Sequence, residues 1–167
     1  MITAKNITEF LNQELNIHDI EDSSWNGLQV ENEGEITKIG FAVDACLESF
    51  QKASEAGCQM LITHHGMIWD KSKPVKGNHY KRIKLLFEKN LAIYGVHLPL
   101  DRHDKYGNNI VLAKLLELKE IKPFGYYGEK TIGFYGLTNT NLEEIKKKLS
   151  DNGMKPDCFC HGNNEIK

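Results

Sequence analysis

The sequence predicts an α/β fold, a layered sheet with parallel strands and crossover helices, followed by part of a second αβ unit. Continuous apolar runs at residues 39–43, 60–62 and 91–96 are typical of strands that are covered on both faces. Stretches with apolar residues at helical spacing alternate with these runs. Because strand–helix–strand crossovers are almost always right-handed, this order predicts strands that lie parallel.

The elements of the first region follow in order along the chain. Residues 4–15 predict an amphipathic helix, and Ser23 to Gly27 predict a turn before the short apolar run at residues 28–30. Apolar residues at helical spacing predict one further helix after each of the three strands. Their marker residues are Leu47, Phe50 and Ala53, then Ile83, Leu86 and Phe87, and finally Leu112, Leu115 and Leu116.

The pattern changes near Lys119, where a Pro and two Gly residues interrupt it. Residues 131–137 then predict a strand, residues 142–149 a helix, and residues 155–160 the start of another strand. We therefore expect a metal-site α/β domain at residues 1–118. Residues 119–167 are expected to be the start of a second αβ domain, truncated because no closing element follows.

Composition restricts the class of protein. The chain has 167 residues, 40% hydrophobic and 26% charged, which is typical of a globular protein. The net charge of −2 does not support nucleic-acid binding. No signal peptide and no apolar run of membrane-spanning length occurs, so we expect a cytoplasmic protein without membrane contact. The four cysteines are expected to be reduced, and Cys158-Phe159-Cys160 beside His161 is weak evidence for a metal site.

Candidate metal ligands follow two of the predicted strands. His64 and His65 come directly after one strand, and His97 and Asp101 follow the next. Ligands collect at the carboxyl ends of parallel strands, so these side chains are expected to share one cleft. Imidazole and carboxylate together suit Zn, Fe, Mn or Ni, which the sequence does not distinguish. The spacing therefore predicts His64, His65 and Asp101 as metal ligands.

Other interpretations of these residues remain open. Adjacent histidines on a strand ordinarily point to opposite faces, so one could be core and the other surface. Asp101 could instead cap the helix that begins near Gly107. His97 could be a ligand or could orient one, and Asp44 could hold a ligand from behind or cap the next helix. No nucleophile motif or phosphate loop occurs, so the catalytic residues are unknown.

Four motifs, in this order, together resemble the Nif-three-like family, whose members are labelled GTP cyclohydrolase 1 type 2 homologues. The motifs are Ser24-Trp25-Asn26-Gly27-Leu28-Gln29-Val30, Thr63-His64-His65-Gly66-Met67-Ile68-Trp69, His97-Leu98-Pro99-Leu100-Asp101, and Gly107-Asn108-Asn109 before Leu112-Ala113. The resemblance implies two divalent metal ions in an α/β cleft and a homohexameric ring. It also implies that His64, His65 and Asp101 are ligands and that His97 lies near them.

The same resemblance implies further ligands, a histidine and a glutamate, in a C-terminal region beyond residue 167. His161 and Glu165 do not match them in position. We therefore expect the chain to correspond to the N-terminal two-thirds of a family member, and to bind metal weakly by itself.

Two functions follow from these observations. The first is a dinuclear metal-dependent hydrolase with metal-bound water as the nucleophile, for which a nucleotide or purine ring is a candidate substrate. The second is a non-catalytic, metal-stabilised binding or regulatory protein. An open coordination position favours the first and closed four-ligand sites favour the second. The small-molecule substrate is not identified by any residue pattern.

Overall fold

Four strands form one sheet: Gly27–Val30 (β1), Ile39–Asp44 (β2), Met60–His65 (β3) and Ala92–Gly95 (β4). Their order across the sheet is β1-β4-β3-β2. The β2–β3 and β3–β4 pairs are parallel, whereas β1 runs antiparallel to β4 at the edge. The predicted α/β fold with parallel strands is therefore confirmed, and the carboxyl ends of β2, β3 and β4 share one edge.

The computed structural model describes residues 1–159 and 165–166. Contacts within the chain separate two units, Met1–Leu100 and Asp101–Lys167. The sheet lies entirely in the first unit. The division into domains at residues 118 and 119 stays a prediction.

Helices cover both faces of this sheet in the first unit. The helices are Ala4–Glu14 (α1), Leu47–Glu55 (α2) and Gly77–Glu88 (α3). One buried cluster joins α2 and α3 to the sheet, and its members include Phe50, Ala53, Leu61, Leu86 and Ile93. A second cluster joins α1 to the opposite face, and its members include Ala4, Met60, Ala92 and Tyr94. Alternate residues of β4 point to opposite faces of the sheet, and helices cover both faces. β4 is therefore buried along its whole length.

A short helix, Leu98–Arg102 (α4), begins three residues after the last residue of β4. The sequence did not predict it, because five residues are too few for a helical period to be visible. Its first two residues, Leu98 and Pro99, are buried. Pro99 is tolerated there because the first turn of a helix has backbone N–H groups without helical partners.

The second unit contains a helix and a β-hairpin. Asn108–Leu115 (α5) precedes the antiparallel strands Lys119–Tyr127 (β5) and Lys130–Leu137 (β6). The interpretation of Pro123 and Gly125 as breaks in regular structure is wrong, because both lie within β5. β5 pairs only with β6 among the described strands, so Pro123 can occupy an edge where no N–H is needed.

The rest of this unit differs in two respects from the sequence pattern. Thr140–Asn141 (β7) precedes the predicted helix, Leu142–Asp151 (α6), and pairs with Glu165–Ile166 (β8). Residues 155–159 form no strand. Cys160 and His161, which the sequence singled out, lie outside the described residues. No helix in the described part of the chain is both long and apolar enough to cross a membrane.

Candidate metal centre

Three histidines lie together at the carboxyl edge of the sheet in the first unit. His64 and His65 are the last two residues of β3, whereas the sequence predicted them directly after that strand. His97 lies two residues beyond β4. One potential ligand nitrogen from each lies within 4.8 Å of the others. The ring centroids are 4.8 Å apart for His64 and His65, and 5.1 Å apart for His64 and His97. Three nitrogen donors thus surround one point, as a metal site requires.

The hydrogen bonds behind the three rings fix which nitrogen faces this point. The Nδ1 of His64 lies 3.1 Å from the carbonyl oxygen of Val96, which can only accept a hydrogen bond. The Nδ1 of His65 lies 2.7 Å from Asp44 Oδ1. Because these oxygens accept, each Nδ1 carries a proton, and Nε2 is the nitrogen of each ring that remains to act as a ligand. This arrangement, with an acceptor behind each ring, is the one that metal-binding histidines adopt.

His97 is held by a buried carboxylate, Asp22. Its Nδ1 lies 3.0 Å from Asp22 Oδ1 and 3.1 Å from Oδ2. The backbone N–H groups of Ser24 and Leu98 and the side-chain amide of Asn26 also donate to Asp22. Burial alone would raise the pKa of Asp22, but these hydrogen bonds outweigh burial and hold the pKa below its usual value. The carboxylate therefore stays ionised and orients His97.

The turn after His65 is fixed by a side chain from β1. Gln29 Oε1 accepts hydrogen bonds from the backbone N–H groups of Met67 and Ile68, at 2.6 and 3.1 Å. Gly66 leaves the space that the Gln29 amide occupies, because a Cβ atom there would overlap Gln29 Nε2. Gly95 on β4 has a similar role, since a Cβ atom there would lie 2.7 Å from the same nitrogen. Two glycines and one glutamine therefore position the histidine turn.

The structure places the remaining candidate residues as follows. Asp44 contacts His65, and its side chain is not the cap of α2, which begins after Cys46. Asp101 lies in α4 rather than in a loop and belongs to the second unit. Its Oδ1 accepts a hydrogen bond of 3.0 Å from Asn108, the first residue of α5. Its role as a metal ligand stays a prediction.

Three residues at this site were not predicted from the sequence. Asp22 lies 75 residues before His97, and no local pattern connects them. Gln29 is a polar residue within a short apolar run, and such an exception to the pattern indicates a specific hydrogen-bond partner. The sequence gives Trp69 no separate role, yet its ring meets the His97 ring edge-on with centroids 5.0 Å apart. Its Nε1 donates to the carbonyl oxygen of Gly66 at 2.7 Å, which fixes the ring beside the histidines.

The donor set fits a divalent transition metal. Imidazole nitrogens are ligands for Zn, Fe, Mn or Ni, and each of the three rings is already oriented by an oxygen acceptor. Little side-chain reorganisation is then needed for binding. The first unit by itself thus provides three converging nitrogen donors.

Comparison with known proteins identifies the relatives of this chain. The profile of the Duf34/NIF3 (NGG1p interacting factor 3) family matches residues 2–165. A GTP cyclohydrolase 1 type 2 homolog of Pyrococcus abyssi is 46% identical over 130 residues, which are 78% of this chain and 52% of that protein. One of Treponema pallidum is 39% identical over 151 residues, 89% of this chain and 53% of that protein.

Solved structures agree with this result. The protein TTHA1606 from Thermus thermophilus is 34% identical, with a TM-score of 0.84 over 99% of this chain and 67% of that one. Reduced HcgD from Methanocaldococcus jannaschii is 31% identical, with a TM-score of 0.77 over 90% of this chain and 60% of that one. The chain spans about half the length of the curated relatives it matches.

Proposed function

Because the chain belongs to the Duf34/NIF3 family, we propose that it contributes to a dinuclear metal centre of a hydrolase that acts on a small molecule. The observation that carries this proposal is the convergence of His64, His65 and His97, each with Nδ1 bound to an oxygen acceptor. A purely structural cluster of surface histidines would not need an acceptor behind every ring. The sequence resemblance adds Asp101 as a proposed ligand.

The residues of this site would have different roles in metal binding. His64 and His65 would hold the metals through Nε2, and Asp101 would ligate one ion or bridge two. His97 would either complete one site or hold a ligand in place. A bound divalent metal supplies Lewis acidity, which activates water and polarises the bond to be hydrolysed. Asp44 and Asp22 keep His65 and His97 in the tautomer that leaves Nε2 unprotonated.

The substrate class comes from the relatives. Curated relatives carry the name GTP cyclohydrolase 1 type 2 homolog, which denotes hydrolytic opening of a purine ring. We propose a nucleotide or another purine-like compound as substrate. The chain spans about half the length of these relatives, and its activity and the hexameric ring that the resemblance implies are proposals.

Metal binding is the first test. Wild-type protein freed of metal with chelator is titrated with Zn²⁺, Mn²⁺, Fe²⁺ and Ni²⁺ while thermal unfolding is followed. We expect a metal at one hundred times its Kd to stabilise the protein by about 2.7 kcal/mol. His64→Ala and His65→Ala should each remove most of that effect. His18→Ala, an exposed histidine of the same unit, is the matched control and should respond like wild type.

Activity is the second test. Metal-loaded protein is incubated with GTP, and ring opening is followed as loss of the purine absorbance. Hydrolysis that is lost in His64→Ala and kept in His18→Ala supports the proposal. Tight metal binding without hydrolysis of GTP or related purines would favour the non-catalytic, metal-stabilised function instead. A melting temperature indifferent to every metal would contradict both functions.

A further inference from the structure

A small cavity lies beside Trp69 in the first unit. Its volume is about 100 Å³, and its apolar wall is formed by Met67, Ile68 and Trp69. Lys71, Lys73 and Arg82 bring three cationic side chains to the same cavity. An open cleft beside it is lined by Asp44, His65, Trp69 and Arg82. Trp69 and Arg82 therefore belong to both spaces, which places the cationic cavity next to the candidate metal centre.

The three cationic side chains of this cavity have few bonded partners of their own in the described part of the chain. Among residues 1–159, no carboxylate forms an ion pair with Lys71, Lys73 or Arg82. The Nη1 of Arg82 donates to the carbonyl oxygen of Ala45 at 3.2 Å, but its Nε is buried without a hydrogen-bond partner. A buried cationic donor without an acceptor is costly, so an acceptor supplied by a ligand would explain its retention.

The size of the cavity restricts what it can hold. Pockets that enclose a whole drug-sized ligand span roughly 300–1,000 Å³, so about 100 Å³ admits only one end of such a molecule. Two lysines and an arginine without anionic partners suit a phosphate group, which offers several acceptor oxygens and a double charge. The remainder of the ligand would then pass along Trp69 toward the histidines.

We propose that this cavity, hereafter the Lys71–Arg82 cavity, binds the phosphate group of a phosphomonoester substrate whose reacting part lies at the histidine cluster. Lys71 and Lys73 neutralise the phosphate, and Arg82 donates a hydrogen bond to it. Trp69 contacts the organic part of the ester between the two sites. The placement of the reacting part of the ester at the histidine cluster rests on the proposed function. Phosphate binding in the cavity needs no metal.

The test uses phenyl phosphate as the probe and metal-free protein in chelator, so that its outcome is independent of metal binding. Calorimetric titration of wild type should give saturable binding. Lys71→Ser/Lys73→Ser should weaken it about tenfold, the loss expected for strong charge-assisted contacts. Lys81→Ser/Lys89→Ser is the matched control. It removes the same charge from the same part of the chain, outside the cavity, and should bind like wild type.

Three comparisons decide the result. Arg82→Gln should also weaken phenyl phosphate binding, while the double lysine variant tests the cavity without altering a buried contact. Phenol, which lacks the phosphate, should not bind, and inorganic phosphate should bind more weakly than the ester. Equal losses in the cavity and control variants would show only a long-range charge effect and overturn the proposal. Phenol or free phosphate binding as tightly as phenyl phosphate would overturn it too.

Discussion

The two units of this chain differ in how they are held together. Buried hydrophobic side chains in the described residues lie almost wholly in Met1–Leu100; in the second unit only Ile110 and Ala113 are buried. The central strand β4 is buried at every position, whereas β5 is exposed at every position except Ile121. The candidate histidines stand on the buried sheet. A site that must hold three rings in fixed positions is thus built where packing leaves least freedom.

The second unit depends more on local pairing. Its hairpin forms between β5 and β6, yet Tyr126 is 80% exposed and Phe124 51% exposed. Strands with few buried apolar contacts open more easily, so backbone amides of β5 should exchange with solvent faster than those of β4. Variants that change one unit and not the other test this difference.

The largest effect is expected for a core truncation. Ile93→Ala removes a side chain that is fully buried between the sheet and its helices, and should lower the free energy of unfolding by about 2–5 kcal/mol. Tyr126→Ala, on the exposed hairpin, should cost about 1 kcal/mol or less. Urea unfolding followed by circular dichroism measures both. Similar losses in the two variants would show that the units do not differ as described.

A smaller effect is expected at the histidine turn. Gly66→Ala places a methyl group against the Gln29 amide, which should cost about 1–3 kcal/mol and weaken metal binding. Gly128→Ala, between β5 and β6, meets no neighbour within 4 Å but has φ of +59°, so strain of about 1–2 kcal/mol is expected. Only the first change should alter metal affinity, measured by calorimetric titration.

The double variant Gly66→Ala/Gln29→Ala tests whether the overlap with Gln29 causes the loss of stability in Gly66→Ala. Gln29→Ala leaves the N–H groups of Met67 and Ile68 without their acceptor and should be destabilising by itself. If the clash is the reason for the Gly66→Ala effect, the double variant should be less destabilised than the sum of the single ones. Strict additivity would contradict this explanation.

The smallest effect concerns a buried tyrosine. Burial raises the pKa of Tyr94 far above its ordinary value, and its hydroxyl donates to Asn12 Oδ1 at 2.9 Å. The unfolded chain therefore loses this proton near pH 10 while the folded protein keeps it. Stability is full below about pH 10 and should fall above it, by at most about 1.4 kcal/mol per pH unit from this one group.

Tyr94→Phe tests that contribution. The variant should be less stable than wild type at about pH 8, because Asn12 Oδ1 loses its donor, and the difference should shrink above about pH 10. Urea midpoints from about pH 8 to about pH 11 give the comparison, with Tyr126→Phe as a control on an exposed ring. A constant difference between Tyr94→Phe and wild type across this range would contradict the role of burial.

Much of the first unit was predictable because its signals are local. Continuous apolar runs indicated β2, β3 and β4, and helical spacing indicated α1, α2 and α3, as well as α5 of the second unit. The hairpin was only half predicted, since Pro123 and Gly125 indicate breaks by local preference while an edge strand tolerates both. Local residue preferences are enough to predict ordinary helices and strands. Whether a strand can contain Pro or Gly depends on which strands lie beside it.

By itself the sequence determined the α/β class, the family and the place of His64 and His65 at a strand end, because these depend on short-range pattern and motif order. The contact by which Asp22 holds His97 from 75 residues away, and the fit of Gln29 into the space left by Gly66, came only from the tertiary structure. Pattern in a sequence records which face of an element is apolar. Contacts between distant side chains depend on how the elements pack, and no local pattern encodes that.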